Sequence, residues 1–161
     1  MSYDLFFLSG KLKKTVFVLT MLMFAVFPAF SQTKNLVKKL SEQYQDCLDS
    51  GWNMAGCAYT YDEELNKLLN KEFNLLKSRC NEAQKKNLTD EQIKWSLRTE
   101  KDVDKVEKEM IEKGGGYAND ISALISAQHR ADCTEKRLLE ILERKPEDYS
   151  DEIYKKRSAK K

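Results

Sequence analysis

The sequence is poor in residues that break helices and in patterns that form sheets. Its 161 residues include only 2 Pro and 6 Gly, and Pro146 is the single proline after residue 30. No segment alternates apolar and polar residues with the period of two that a half-buried strand shows. Apolar residues recur instead at spacings of three and four. The sequence therefore predicts an all-α protein.

Histidine is almost absent as well. His129 is the only one in the chain, so a metal site built from several histidines is excluded. The four cysteines lack the close pairs of structural zinc motifs. Gly114, Gly115 and Gly116 follow a predicted helix, whereas a phosphate-binding glycine loop follows a strand. We therefore expect neither a metal nor another cofactor.

Long apolar runs are missing except near the N-terminus, where Thr15–Phe30 forms a run of 16 residues. Lysines precede this run, and the small residues Ala29 and Ser31 lie at its end. This order is typical of a cleavable secretion signal, and the run is shorter than the ~20 residues that a transmembrane helix needs. We predict a signal peptide over residues 1–31 and a secreted or periplasmic protein. The alternative is an uncleaved membrane anchor.

Charge is balanced overall but uneven along the chain, which has 28 Lys and Arg against 26 Asp and Glu. Removal of residues 1–31 takes away three cations and one acid, which leaves 25 of each. Five cations lie in residues 155–161, so residues 32–154 have 20 cations, 25 acids and a net charge of −5. An acidic body favours a basic partner and disfavours nucleic acid. Alternatively, these charges only keep a small protein soluble.

Four amphipathic helices are predicted between residues 32 and 145. The first ends at Ser50-Gly51, the second runs from about Met54 to about Lys85, the third starts at Thr89, and the fourth ends before Pro146. We expect these helices to pack as an antiparallel bundle. Their apolar faces include Leu36, Leu40, Tyr44, Tyr61, Leu65, Leu69, Leu76, Val103, Ile121, Leu138 and Ile141.

Two boundaries follow from local signals. Thr89-Asp90-Glu91-Gln92 has the pattern of a capping box, which predicts that the third helix begins at Thr89. Pro146 ends the fourth helix, because the residue before a proline avoids the helical conformation. Residues 146–161 are polar and basic, and we predict a flexible tail that could contact anionic components of the cell envelope weakly.

Several motifs follow one another in a characteristic order over roughly residues 46–142. Their residues are Cys47, Met54, Cys57, Leu65, Asn66, Gln92, Trp95, Gly114, Gly115, Thr134 and Arg137. The order and spacing of these motifs resemble the lysozyme inhibitor LprI-like N-terminal domain family of small bacterial envelope proteins. The resemblance implies a helical protein that binds and inhibits lysozyme.

Disulfide pairing is the next expectation. Cys47 and Cys57 face each other across the predicted turn at Gly51, which favours a local bridge. With a third helix that starts at Thr89, Cys80 and Cys133 lie at similar heights in the bundle. We therefore predict the bridges Cys47–Cys57 and Cys80–Cys133. Free or differently paired thiols are the alternative.

Catalysis is not expected. Cys133 and His129 lie one helical turn apart, as a nucleophile and a base would, but a cysteine in a disulfide cannot attack a substrate. Glu63 and Glu64 are more typical of a solvated surface than of an acid–base pair. A protein-binding module is the leading hypothesis, with lysozyme as the partner. The second hypothesis is an envelope interaction or stress protein that does not inhibit lysozyme.

Overall fold

The computed structural model describes residues 28–114 and 118–159. The chain divides into two compact units, Met1–Asn35 and Leu36–Lys161. Of the first unit only residues 28–35 are described, and they are helical. Most of the predicted signal peptide, residues 1–27, lies outside the described residues. So does Gly115 of the family motifs.

Residues 36–114 and 118–159 confirm the predicted all-α fold, and no strand occurs in these described ranges. The helices are α1 (Pro28–Asp49), α2 (Met54–Ser78), α3 (Glu82–Gly114), α4 (Ala118–Glu143) and α5 (Asp151–Ser158), with a 3₁₀ turn at Pro146–Tyr149. The end of α1 folds back against the start of α2, since a disulfide joins Cys47 to Cys57 and Tyr44 stacks on Tyr61. Helix α4 packs against both α2 and α3. Among these described helices, none is long and apolar enough to cross a membrane.

The core lies between α2, α3 and α4 and extends to α1 and to the C-terminal segment. Leu65, Leu69 and Leu76 of α2 point into it with the helical period, and Leu138 and Ile141 of α4 meet them. Side chains that are fully removed from water in this way supply most of the stability of a bundle of this size. The sequence pattern identified these five positions. It also placed Leu36 and Ile121 inside, but both are exposed.

The predicted start of the third helix is wrong by seven residues. Thr89 lies within α3, where its hydroxyl donates to the carbonyl of Lys85 one turn earlier, at 2.7 Å. The reciprocal cap is formed by Asn81 and Gln84 instead. The Asn81 side chain accepts from the Gln84 amide, and the Gln84 side chain accepts from the Asn81 amide, both at 2.9 Å. This capping box ends α2 early and lengthens α3.

One predicted disulfide forms and the other does not. Cys47 and Cys57 are bonded, with their Cα atoms 5.9 Å apart, whereas Cys80 and Cys133 are free thiols. Because Thr134 contacts Asp62, Cys133 lies level with the first third of α2. Cys80 follows the end of α2, on the order of 25 Å further along the bundle. A disulfide needs Cα atoms within about 7 Å, so the misplaced turn caused the error.

The predicted flexible tail is also wrong for residues 146–158, which are helical. Tyr149 is completely buried in the core. The Asn87 amide donates to the carbonyl of Tyr149 at 3.0 Å and to the carboxylate of Asp151 at 2.8 Å. Arg157 forms a 2.6 Å ion pair with Glu91. The sequence pattern missed this packing because one buried aromatic residue and these three polar contacts hold the segment, rather than an apolar stripe.

Candidate functional site

The turn between α1 and α2, which we call the hairpin tip (residues 50–54), is held by several local contacts. The disulfide Cys47–Cys57 closes it. The Ser50 hydroxyl donates to the carbonyl of Cys47 at 2.6 Å and accepts from the amide of Trp52 at 3.3 Å. Gly51 and Asn53 both have positive φ, of 67° and 48°. These are conformations that Gly and Asn adopt at the lowest cost.

The beginning of α2 is fixed by Asn53, whose side chain accepts from the amide of Gly56 at 3.2 Å. A Cβ atom at Gly56 would collide with this same side chain. The N-cap therefore requires glycine at residue 56. Together with the disulfide, these contacts hold the chain on both sides of Trp52 in one conformation.

Trp52 is the most exposed large apolar side chain in the described part of the chain, with 82% of its surface accessible. Tyr59, one turn into α2, is 53% exposed, and Met54 is also exposed. In the sequence, Trp52, Tyr59 and Tyr117 stand near predicted helix ends, where an aromatic residue would suit an interface anchor or belong to the core. The structure places Trp52 and Tyr59 on the surface, and Tyr117 lies outside the described residues. A tryptophan that is this exposed buries little of its surface in the fold, so its ring is accessible to a binding partner.

A cleft of about 380 Å³ lies beside the tip, between α1 and α2. We call it the hairpin cleft. The rings of Tyr44 and Tyr61 line it and stack in parallel, 4.8 Å between centroids and 3° between planes. The Tyr61 hydroxyl donates to Glu135 of α4 at 2.9 Å, which ties this wall to the bundle. Burial, with the neighbouring Glu135, raises the pKa of Tyr61 above its ordinary value, so its hydroxyl stays protonated.

The charged residues of the chain segment around the tip are all acidic. Residues 40–66 contain six carboxylates and no Lys, Arg or His. Three of the acids lie in α1 and three in the first half of α2, on both sides of the hairpin tip. They are Glu42, Asp46, Asp49, Asp62, Glu63 and Glu64. The net negative charge of residues 32–154 was evident from the sequence, but the clustering of acids in residues 40–66 was missed. A count of charged residues in short windows along the chain would have revealed it.

Most of the family-motif residues do not line this surface. Met54 lies at the tip and Leu65 lies in the core. Thr134 is buried and donates its hydroxyl to Asp62 at 2.7 Å. Asn66 donates to the carbonyl of Asp62 at 3.0 Å. Burial raises the pKa of Asp62, although its hydrogen bond with Thr134 and the charge of Arg130 oppose that rise.

The other motif residues meet around Arg137, which is 1% exposed. Its guanidinium donates to Gln92 at 2.9 Å, to Glu91 at 2.9 Å and to Glu140 at 3.1 Å. It also lies over the ring of Trp95, 5.9 Å from the centroid. Buried charges that are paired and hydrogen-bonded in this way tie helices together. Gln92, Trp95, Thr134 and Arg137 are therefore structural residues in this chain.

Glu91 extends the same network to the C-terminal segment. One of its oxygens accepts from Arg137 and the other from Arg157 of α5. The Arg157 guanidinium lies 5.0 Å from the ring centroid of Tyr149. Burial, with the nearby Glu91, raises the pKa of Tyr149 to about 12. The sequence analysis did not identify Glu91, Tyr149 or Arg157 as part of this network, because it treated the segment after residue 145 as a tail.

Cys133 and His129 lie close together, with 4.0 Å between the sulfur and Nε2. The sequence argument against catalysis assumed a disulfide at Cys133, and that assumption is wrong. The thiol is nevertheless unsuited to attack. Burial raises its pKa, and the carboxylates of Asp102 and Asp132 raise it further, whereas an activated cysteine has a lowered pKa. In the two ranges that the structure covers, no group of three His, Cys, Asp or Glu residues is arranged to hold a metal.

Comparisons with family models, with curated proteins and with solved structures found no match for this chain. The interpretation of the surface therefore depends on its own chemistry. The hairpin tip and the hairpin cleft combine an exposed tryptophan, aromatic walls and acidic surroundings on a backbone held by a disulfide. This surface is the candidate functional site.

Proposed function

We propose that this protein is a secreted, non-catalytic binding module that attaches to a basic protein through its hairpin tip, with Trp52 as the anchor. The observation that carries the proposal is the exposure of Trp52 on a turn fixed by the disulfide, within a stretch that has only acidic charges. Tryptophan is enriched among the residues that dominate binding energy. A rigid turn loses little entropy when it binds.

Lysozyme is the partner that we propose first. The motif order that resembles the lysozyme-inhibitor family supports this choice, and many lysozymes are basic enough to be attracted to the exposed carboxylates on both sides of the tip. The disulfide of the tip agrees with secretion, because such bonds persist in oxidising compartments. The proposed inhibition needs no chemistry from the bound protein, only occupation of the enzyme's surface.

The test combines a turbidity assay of cell-wall lysis with a direct binding measurement on immobilised lysozyme. We expect the purified protein to slow lysis, and Trp52→Ala to weaken binding by about 30-fold, the effect of losing a central anchor. Leu75→Ala is the matched control. Leu75 is also an exposed apolar residue, 46% accessible, but it lies near the far end of α2.

Two results would contradict the proposal. If lysis by several lysozymes is unaffected at high micromolar protein, lysozyme is not the partner, and the envelope-interaction hypothesis takes its place. If lysozyme binds but Trp52→Ala and Leu75→Ala behave alike, the hairpin tip is not the interface.

A further inference from the structure

The hairpin cleft has a composition that selects for one kind of occupant. Its walls are mostly apolar and include three aromatic residues, Tyr44, Trp52 and Tyr61. Glu64 is the only charged residue that lines it. A purely apolar occupant would take water away from this carboxylate without replacing its hydrogen bonds, which is unfavourable. A cation with an apolar stem would satisfy both the rings and the carboxylate.

We propose that the hairpin cleft receives an arginine side chain of the basic partner. Aromatic faces attract cations, and arginine is the cation found most often against them. Its planar guanidinium can also bond a carboxylate through two N–H groups. This inference rests on the proposed function, because it names the side chain that the binding surface recognises.

The carboxylate in the cleft is not fully neutralised by the protein itself. Lys67 contacts Glu64 at 2.7 Å and Glu63 at 2.9 Å, so two acids share one ammonium group. Lys67 does not line the cleft. An incoming guanidinium therefore meets a local excess of negative charge, and these exposed acids can rearrange around it at little cost.

The cleft is also formed before any ligand arrives. The stacked tyrosine pair is held by the hydrogen bond from Tyr61 to α4, and both cysteines of the disulfide also line the cleft. Preformed walls lower the entropic cost of binding. Even so, one side chain in an open cleft should bind only weakly on its own, with a dissociation constant in the millimolar range.

The experiment uses two tripeptides, blocked at both ends, with the sequences Gly-Arg-Gly and Gly-citrulline-Gly. Citrulline has nearly the shape of arginine but no charge. Each peptide is titrated into the protein labelled with ¹⁵N, and the indole N–H signals of Trp52 and Trp95 are followed by NMR. Trp95 is on α3 and lies against Arg137 of α4, and it does not line the cleft. Its signal therefore serves as the internal control.

We expect the arginine peptide to shift the Trp52 signal but not the Trp95 signal, and to bind at least about fivefold more tightly than the citrulline peptide. Glu64→Gln should weaken the binding of the arginine peptide by about threefold or more. Glu63→Gln is the matched control, because Glu63 contacts the same lysine but does not line the cleft. It should leave the affinity nearly unchanged.

The results separate this inference from the proposed function. If lysozyme binds through Trp52 but both peptides act alike or leave the Trp52 signal unmoved, the arginine inference is wrong and the proposed function stands. If the arginine peptide binds at Trp52 and no lysozyme does, the cleft chemistry is right and the partner is another basic protein. If Glu63→Gln weakens the binding of the arginine peptide as much as Glu64→Gln does, the peptide is attracted only by the overall negative charge of this surface. The placement of arginine in the cleft is then wrong.

Discussion

At the scale of single residues, the buried side chain of Arg137 connects α4 to α3 through several polar contacts. Its guanidinium contacts α3 through Glu91 and Gln92 and contacts Glu140 on its own helix. Trp95 lies against it as well. Such an arrangement is costly to form, because the charges of Arg137 and Glu91 leave water, but it is more costly to break. Removal of Arg137 takes one charged partner from the buried Glu91, which keeps Arg157, and leaves the space of a fully buried side chain unfilled.

We therefore expect Arg137→Ala to lower the free energy of unfolding by about 3–5 kcal/mol. Urea denaturation followed by circular dichroism measures this change. The control is Arg98→Ala, since Arg98 is an exposed arginine on the same helix as Glu91, and surface changes of this kind stay within about 0.5 kcal/mol. Equal effects of the two substitutions would show that the buried network contributes nothing particular.

A second residue-scale prediction concerns Asp62. Burial raises its pKa above the ordinary value of 3.8, so the folded protein holds this proton more tightly than the unfolded chain does. The resulting stabilisation is complete below pH 3.8 and is lost as the pH rises through the raised pKa of the folded state. An asparagine side chain at this position would still accept the hydroxyl of Thr134 but would not titrate.

We expect Asp62→Asn to gain stability relative to the wild type as the pH rises above about 4. Denaturation curves of both proteins at several pH values between 4 and 7 give the difference directly. The other titrating groups, including Asp132, whose pKa is also raised by burial, cancel in this comparison. A difference that does not change with pH would mean that Asp62 titrates normally.

At the scale of helices, the contrast between Asn81 and Thr89 can be tested directly. Asn81 caps α3 through its bond from Gln84, whereas Thr89 bonds back to Lys85 inside the helix. Asn81→Ala should lower the free energy of unfolding by about 1 kcal/mol. Thr89→Ala should change it little, because mid-helix bonds of this type do not stabilise a helix. Thermal unfolding that ranks the two substitutions in the opposite order would place the helix start at Thr89 after all.

The helices themselves could be predicted from the sequence, since the stripes of α2 and α4 repeat with a clear helical period. The start of α3 could not be predicted. Asn81-x-x-Gln84 and Thr89-x-x-Gln92 have the same capping pattern, and the sequence does not show which of them is exposed at a turn. The position of that turn determines how far along the bundle Cys80 lies from Cys133. It therefore determines whether the two cysteines can form the second disulfide.

The candidate site was partly predictable for a similar reason. Trp52 stands next to a predicted glycine turn, which suits an interface anchor, but the sequence alone left a position in the core equally open. The roles of Gln92, Trp95 and Arg137 could not be read from their spacing. Only the packing of α3 against α4 shows that these side chains bond to each other and are not available to a partner.

At the scale of the whole molecule, the C-terminal segment belongs to the bundle. Because Arg157 pairs with Glu91 and lies against Tyr149, a chain that ends after Tyr154 loses a contact to a buried carboxylate. We expect this truncation to lower the free energy of unfolding by about 1–3 kcal/mol. A chain that ends after Ser158 keeps Arg157 and is the control. Equal melting temperatures for the two truncated chains would contradict the role of α5.

The distribution of charge also makes a prediction about the association rate with lysozyme. If the exposed carboxylates of residues 40–66 guide the encounter, the rate constant should fall steeply with salt, because the screening length shrinks from ~10 Å at 0.1 M to ~3 Å at 1 M. Asp46→Asn combined with Asp49→Asn should reduce both the rate at low salt and its salt dependence.

The control for that pair is Asp104→Asn combined with Glu107→Gln, which removes the same charge from α3. Stopped-flow fluorescence at several salt concentrations gives the rate constants. The two double variants have the same net charge, so an effect of total charge alone would slow both equally. Slower association only for the variant beside the hairpin tip would show that the local concentration of acids directs the partner to Trp52, and equal rates would remove this support for the proposed interface.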